Sequence, residues 1–187
     1  MFSKKKVGEL VKKFLVILGI FFTFFILYFL QANFFTWFTI GGVMPNLFVI
    51  FILFIGLFIG KKLGLVFGIL FGIYLDFLVG KSIGISGVML GIIGFLAEYV
   101  DKNFSKDSRI TMMLIVIVST LFYETGYYIF QIIRWSIPIE ILPFIKILAI
   151  ETLFNVILVI ILYPLLQKVG YWVEGIFKNQ NVLTRYF

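Results

Sequence analysis

The feature that most constrains this chain is a series of six apolar stretches, each separated from the next by a few polar residues. Most are close to the roughly 20 residues that a helix needs to cross a bilayer. They lack the alternating polar positions of a barrel strand, which is the other structure that satisfies its backbone in lipid. The sequence therefore predicts an all-α integral membrane protein with six transmembrane helices in one bundle. The stretches are 14–32, 45–60, 63–79, 83–99, 110–133 and 147–166.

Composition excludes a water-soluble fold and several kinds of chemistry. Of the 187 residues, 62% are hydrophobic and 13% are charged, whereas about a quarter of a soluble domain is charged. The absence of cysteine and histidine removes thiolate nucleophiles, imidazole bases and the usual soft metal ligands. No phosphate-binding loop or Gly-x-Ser-x-Gly motif is present. We therefore expect a protein that is not an enzyme and that carries no cofactor or metal.

The basic residues predict the orientation of the chain in the membrane. Three of the 16, Lys81, Arg134 and Lys146, fall on one side of the predicted bundle, and the other 13 fall on the opposite side. Cytoplasmic connections are rich in Lys and Arg, so both termini are expected in the cytoplasm. The predicted organisation is a basic cytoplasmic interfacial segment at 1–13, a transmembrane domain at 14–166 and a cytoplasmic tail at 167–187. Because the charge of +7 is spread over segment ends and not over one face, it indicates a membrane lipid environment and no nucleic-acid partner.

Two stripes of glycine are the sharpest pattern in the chain. In the third segment glycines recur every four residues and lead to Asp76, and in the fourth segment a second stripe leads to Glu98. Small residues at this spacing lie on one face of a helix and let two backbones approach closely in lipid. They indicate tight packing inside the bundle or contact with a partner helix, and we favour packing. The glycines are Gly64, Gly68, Gly72, Gly80, Gly84, Gly87, Gly91 and Gly94.

Buried polar residues are predicted at a common depth. Asp76, Glu124 and Asn155 each stand 13 to 15 residues from a cytoplasmic flank, about 20 Å at 1.5 Å per residue. Glu151 lies one turn before Asn155. A polar layer of this kind either binds a ligand or ion, or holds helices together by hydrogen bonds. Both interpretations stay open at this point.

The segment 64–87, which reads GLVFGILFGIYLDFLVGKSIGISG, resembles the rod shape-determining protein MreD family of bacteria. Members carry a glycine-rich helix that leads to an aspartate and then a glycine-rich turn, the places held here by Gly68, Gly72, Asp76, Gly80 and Gly84. The resemblance implies a non-catalytic multi-pass subunit of the cell-wall elongation machinery, in the bacterial cytoplasmic membrane, that maintains cell shape. It also implies partnership with MreC, the MreB filament, RodA and a penicillin-binding protein; a homodimer stays open.

The same resemblance supplies an alternative function. The family fold is thought similar to the substrate-binding subunits of energy-coupling-factor transporters, which are also six-helix proteins of this size. Such a subunit needs an Ala-x-x-x-Ala contact on its first helix, and segment 14–32 has only Gly19 and Ala32 as small residues. We therefore rank a shape-determining scaffold above a transporter subunit.

Overall fold

The computed structural model describes residues 2–79, 84–103, 106–135 and 138–178, and over this part of the chain the architecture is helical. Each predicted apolar segment lies largely or wholly within one helix. The α-helices of the described residues are α1 (Phe2–Phe29), α2 (Leu47–Phe58), α3 (Lys61–Val79), α4 (Ile85–Asn103), α5 (Arg109–Trp135) and α6 (Ile141–Phe177).

Four helical stretches in the described residues are long and apolar enough to cross a membrane: α3, α5, α6, and α1 with its continuation, Lys6–Trp37. The helix α2 has 12 residues, about 18 Å of helix, which is shorter than a hydrocarbon core of about 30 Å. The apolar part of α4 is also short, Ile85–Val100. The structure thus has the helical architecture of a membrane bundle, while the count of six crossings stays a prediction.

Two helices extend well beyond the predicted segments. The helix α1 begins at Phe2, so residues 2–13 continue the first apolar helix. After Phe29 the chain passes through a π-helical turn, Leu30–Phe34, and a 3-10 turn, Phe35–Trp37. The helix α6 runs for 37 residues with Pro164 inside it. In both helices the apolar stretch marked only part of the helix, because a helix can continue beyond the lipid.

The core of the bundle is built around α2, in which 11 of 12 residues are buried. A helix that is apolar on all sides is typical of a position surrounded by protein. The turn after it is tight, because Gly60 adopts a left-handed φ of +123° and α3 begins at the next residue. The core also includes a contact between α1 and α3, in which the rings of Phe24 and Phe71 stack with centroids 4.2 Å apart.

Candidate functional site

The helices α3 and α4 meet backbone to backbone along their glycine stripes. A Cβ added to Gly68 would lie 2.5 Å from the carbonyl oxygen of Leu90, and one added to Gly72 would lie 2.4 Å from the amide nitrogen of Gly87. In the other direction, a Cβ on Gly94 would lie 2.3 Å from the carbonyl oxygen of Gly64. No side chain fits at such distances, so this contact requires glycine.

The other stripe glycines have different surroundings. A Cβ on Gly87 would lie 2.9 Å from Ile73 Cγ1, and one on Gly91 would lie 2.8 Å from Ile69 Cγ1. Gly84 has open space around it but a φ of +104°, which L side chains rarely adopt. The predicted turn glycine at position 80 lies outside the described residues.

Asp76 caps the beginning of α4. Its side chain is 2% exposed, and its Oδ2 accepts hydrogen bonds from the backbone N–H groups of Gly84 at 2.8 Å and Ser86 at 3.0 Å. The first N–H groups of a helix have no partner within the helix and carry its positive dipole end. The carboxylate thus satisfies both the hydrogen-bonding and the electrostatic need of α4.

Glu98 serves the same purpose at the opposite end of the helix pair. Its Oε2 accepts a hydrogen bond of 2.7 Å from the backbone N–H of Lys61, the first residue of α3. Each glycine stripe therefore ends in an acid that caps the other helix. The sequence carried a signal for this arrangement, since Asp76 follows Gly72 by four residues and Glu98 follows Gly94 by four.

Asn155 joins three helices through its side-chain amide. It is fully buried; its Oδ1 accepts from the backbone N–H of Asn46 at 2.8 Å, and its Nδ2 donates to Thr120 Oγ1 at 3.0 Å. The next backbone N–H, that of Leu47, donates to Gln31 Oε1 at 3.0 Å. Side chains of α6 and of the turn after α1 thereby hold the beginning of α2.

A cavity of about 490 Å³ lies beside the capped beginnings of α2 and α4. The three acids Asp76, Glu124 and Glu151 line it. Within the described residues, no three His, Cys, Asp or Glu side chains form a group that could hold a metal ion. Tyr123 closes one side, where its hydroxyl lies 2.9 Å from Ser86 Oγ.

The cavity brings together three of the four residues of the predicted polar layer. Asp76, Glu124 and Glu151 line it, whereas Asn155 is connected to it through Asn46, which is itself a lining residue. Sequence reasoning missed Gln31, because this residue lies in the last turn of the predicted segment 14–32 and is typical of the end of a span. It also missed the lining residues Ser86 and Tyr123.

A second buried polar cluster lies at the other end of the bundle and was also missed. Lys106, only 1% exposed, places its Nζ 2.8 Å from Glu174 Oε1 and 4.7 Å from the ring centroid of Phe58. Lys178 Nζ lies 3.2 Å from the same carboxylate oxygen and donates to the carbonyl oxygen of Leu57 at 3.1 Å. Two cations thus lie beside the last turn of α2, where the helix dipole is negative.

Comparison with known proteins gives one informative result. The family model described as rod shape-determining protein MreD matches residues 12–169. No curated protein matches the chain. No solved structure matches it.

Proposed function

Because the chain belongs to the rod shape-determining protein MreD family, as its segment 64–87 predicted, we propose that it is a non-catalytic subunit of the bacterial cell-wall elongation machinery. The observation that carries this proposal is the extent of the family match, which includes nearly all of the helical bundle. The family is one of shape-determining membrane proteins. The proposed place of action is the cytoplasmic membrane, with MreC, MreB, RodA and a penicillin-binding protein as partners.

The proposed topology has six crossings with both termini in the cytoplasm. Two observations support it. The helices α2 and α3 join through two residues, Ile59 and the left-handed Gly60. The short helix α2 is surrounded by protein, so its polar ends need not reach the lipid surface. The proposed divisions remain 1–13, 14–166 and 167–187.

The hydrogen bonds of the buried polar side chains support a structural role. Asp76 and Glu98 cap helices, and Asn155 links α6 to α5 and to the beginning of α2. An unsatisfied N–H group in the membrane costs several kcal/mol. These groups therefore stabilise a defined arrangement of short helices, which a scaffold needs when it presents constant surfaces to other subunits.

We infer that partner helices contact the outward faces of the bundle. The stripe glycines of α3 already pack against α4 of the same chain, so this face is not open to a partner helix. The outward face of α1, in contrast, carries large apolar side chains at helical spacing, and these are at least half exposed. They are Phe14, Leu18, Phe22, Phe25 and Phe29.

The proposal is tested by complementation and by affinity purification of the tagged chain in mild detergent. Expression in rod-shaped cells depleted of their own family member should restore rod shape, and the purified chain should bring down a wall-synthesis subunit. A double variant, Phe22→Ala with Phe25→Ala, should reduce that recovery at normal membrane abundance. The matched control is Val118→Ala, a similarly exposed position on α5. Failure to restore shape at normal abundance would contradict the proposal.

The cavity is the observation that favours the second candidate, a substrate-binding subunit of an energy-coupling-factor-type transporter. Its volume of about 490 Å³ is in the range of small-molecule sites, and several polar residues line it, as is usual for such sites. The same purification separates the two candidates. Recovery of an ATP-driven coupling module in place of wall-synthesis subunits would favour the transporter.

A further inference from the structure

We propose that the beginning of α1 and the end of α6 together form a surface that binds phospholipids with anionic headgroups. This basic surface consists of Lys6, Lys12 and Lys13 in α1 and of Lys168 and Trp172 in α6. In the proposed topology it lies on the cytoplasmic side. The inference goes beyond the proposed function, since a shape-determining subunit needs no particular headgroup charge, and it does not depend on that function.

The lengths of the two helices place their ends at the depth of lipid headgroups. The apolar helical stretch Lys6–Trp37 has 32 residues, and α6 has 37. At 1.5 Å per residue these stretches are about 48 and 56 Å long. The hydrocarbon core of a bilayer is about 30 Å thick, and the bilayer with its headgroups is about 40 to 45 Å thick. Helices of these lengths that cross the bilayer therefore have their ends among the headgroups.

The beginning of α1 separates apolar side chains from charged ones. Four apolar side chains follow helical spacing along one face, and each is at least half exposed. The lysines and the acid Glu9 occupy the other faces, on which Lys6 and Lys12 are exposed. A helix with this pattern suits the membrane interface, where its apolar face meets acyl chains and its lysines meet headgroups. The four apolar residues are Val7, Leu10, Val11 and Phe14.

The end of α6 has a similar division of its side chains. Gly170, Val173 and Glu174 are buried within the bundle, whereas Lys168 and Trp172, one turn apart, are exposed. Tryptophan is enriched at the depth of the headgroups. A lysine beside it extends its ammonium group toward the lipid phosphates while its aliphatic stem stays on apolar surface. The outward face of this helix end is therefore also suited to lipid headgroups.

The charge of the surface selects an anionic lipid. Residues 6–13 contain three lysines and one acid, and the one acid in residues 164–178 is Glu174. The Glu174 carboxylate already lies 2.8 Å from Lys106 Nζ and 3.2 Å from Lys178 Nζ. The two helix ends act together because they are adjacent, with Lys13 Nζ 5.9 Å from the ring centroid of Phe177. Each lysine beside a membrane surface increases the affinity for anionic lipid about fivefold.

Brominated lipids test the proposal in vesicles that contain the full-length chain. The vesicles hold equal parts of phosphatidylglycerol and phosphatidylcholine, and either one or the other is brominated on its acyl chains. Bromine quenches tryptophan fluorescence on contact, so quenching reports which lipid lies beside a given ring. The chain has three tryptophans, and the double variant Trp37→Phe with Trp135→Phe leaves Trp172 as the reporter.

We expect phosphatidylglycerol to be preferred over phosphatidylcholine at Trp172 by about fivefold or more. The preference should decrease in about 1 M sodium chloride, where the Debye length is about 3 Å. Trp37 is the control reporter, in the double variant Trp135→Phe with Trp172→Phe. It is 88% exposed and lies in a stretch, 14–60, without lysine or arginine, so little preference between the two lipids is expected there.

Charge variants connect the preference to the basic surface. Lys168→Gln should reduce the preference at Trp172 about fivefold, and Lys146→Gln, exposed near the other end of α6, should leave it unchanged. The contribution of α1 is measured with Leu10→Trp as the reporter in a chain whose own tryptophans are replaced by phenylalanine. There, Lys6→Gln with Lys12→Gln should abolish most of the preference.

Each variant is first checked for a monodisperse profile in gel filtration. The proposal is overturned if the two lipids quench Trp172 equally, which would leave this surface to a protein partner. It is also overturned if Trp37 shows the same preference as Trp172, if salt does not reduce the preference, or if Lys168→Gln leaves it unchanged.

Discussion

At the scale of single residues, the polar side chains of this apolar chain act mainly on the ends of neighbouring helices. Asp76 caps α4, and Glu98 caps α3. At the beginning of α2, the side chains of Asn155 and Gln31 accept hydrogen bonds from the first backbone N–H groups. Lipid offers no hydrogen bonds to such groups. A helix that begins inside the bundle therefore takes caps from other elements, and at α2 the N-cap Asn46 adds its own Oδ1 as the acceptor for the N–H of Val49 at 3.3 Å.

The cap formed by Asp76 gives the first prediction. Asp76→Asn should retain rod-shape complementation and most of the stability, because one amide oxygen can still accept from Gly84 and Ser86. Asp76→Leu leaves both N–H groups unsatisfied and should lower the free energy of unfolding by about 2 to 4 kcal/mol. Complementation with membrane abundance measured by blot checks both variants. Wild-type shape with Asp76→Leu at normal abundance would contradict the assigned role, and loss of function in a folded Asp76→Asn would mean that the charge itself is needed.

The buried cluster at Lys106 gives an asymmetric prediction. Glu174 contacts two lysines, so Lys106→Met leaves the carboxylate with Lys178 and should have a small effect. Glu174→Leu removes this carboxylate from beside a lysine that is 1% exposed, and loss of one partner of a buried ion pair costs about 3 to 5 kcal/mol. Unfolding of the purified variants in denaturing detergent measures the difference. Equal destabilisation by the two substitutions would show that the second lysine does not compensate.

At the scale of elements, the sequence was a good guide to helices and a poor guide to their ends and neighbours. The apolar stretches located each helix because burial in lipid or protein depends on apolar length, and the stripe from Gly64 to Gly72 predicted which face permits close approach. The caps were not predicted, because an acid such as Glu98 can be assigned to Lys61 only when the antiparallel pairing of α3 and α4 is known. The end of α6 was missed because Lys168 ends the apolar stretch but not the helix.

The contact between α3 and α4 gives a prediction with an internal control. Gly68→Ala should destabilise the bundle, since its Cβ would meet backbone atoms of Leu90 at 2.5 to 2.6 Å, and Gly68→Leu or Gly72→Leu should prevent folding or assembly. Gly19→Ala in α1 has no atom within 4 Å of its Cβ and should be neutral or stabilise by up to about 1 kcal/mol through helix propensity.

Leu70→Ala provides a second comparison for this contact. Its side chain is 50% exposed on α3, so truncation should have little effect on the bundle. Abundance and gel-filtration profile after extraction in mild detergent measure all of these variants. Similar losses at Gly68, Gly19 and Leu70 would count against close helix approach as the reason for the stripe.

At the scale of the whole molecule, a short apolar helix forms the centre of a bundle whose other helices carry exposed apolar side chains. Residues of α2 such as Val49, Ile52 and Leu57 are fully buried, although their sequence alone does not distinguish a lipid-facing helix from a protein-surrounded one. The cavity also belongs to this scale. It forms where several elements meet, among them the beginnings of α2 and α4. Its lining therefore depends on how the helices pack, and the sequence indicated only the acids Asp76, Glu124 and Glu151, which it placed in one polar layer.

The orientation of the whole molecule gives the last prediction. The distribution of 13 basic residues on one side and three on the other predicts that both termini lie in the cytoplasm. The chain has no cysteine, so each of the variants Ser3→Cys, Asn179→Cys and Thr39→Cys carries a single thiol. An impermeant thiol reagent added to intact cells should label Thr39→Cys, which lies in the exposed turn after α1, and should not label the other two. After permeabilisation all three should react, which shows that the terminal thiols are accessible from the inside. Labelling of Ser3→Cys or Asn179→Cys before permeabilisation would place that terminus outside the cytoplasm. Labelling of only one of these two variants would require an odd number of crossings.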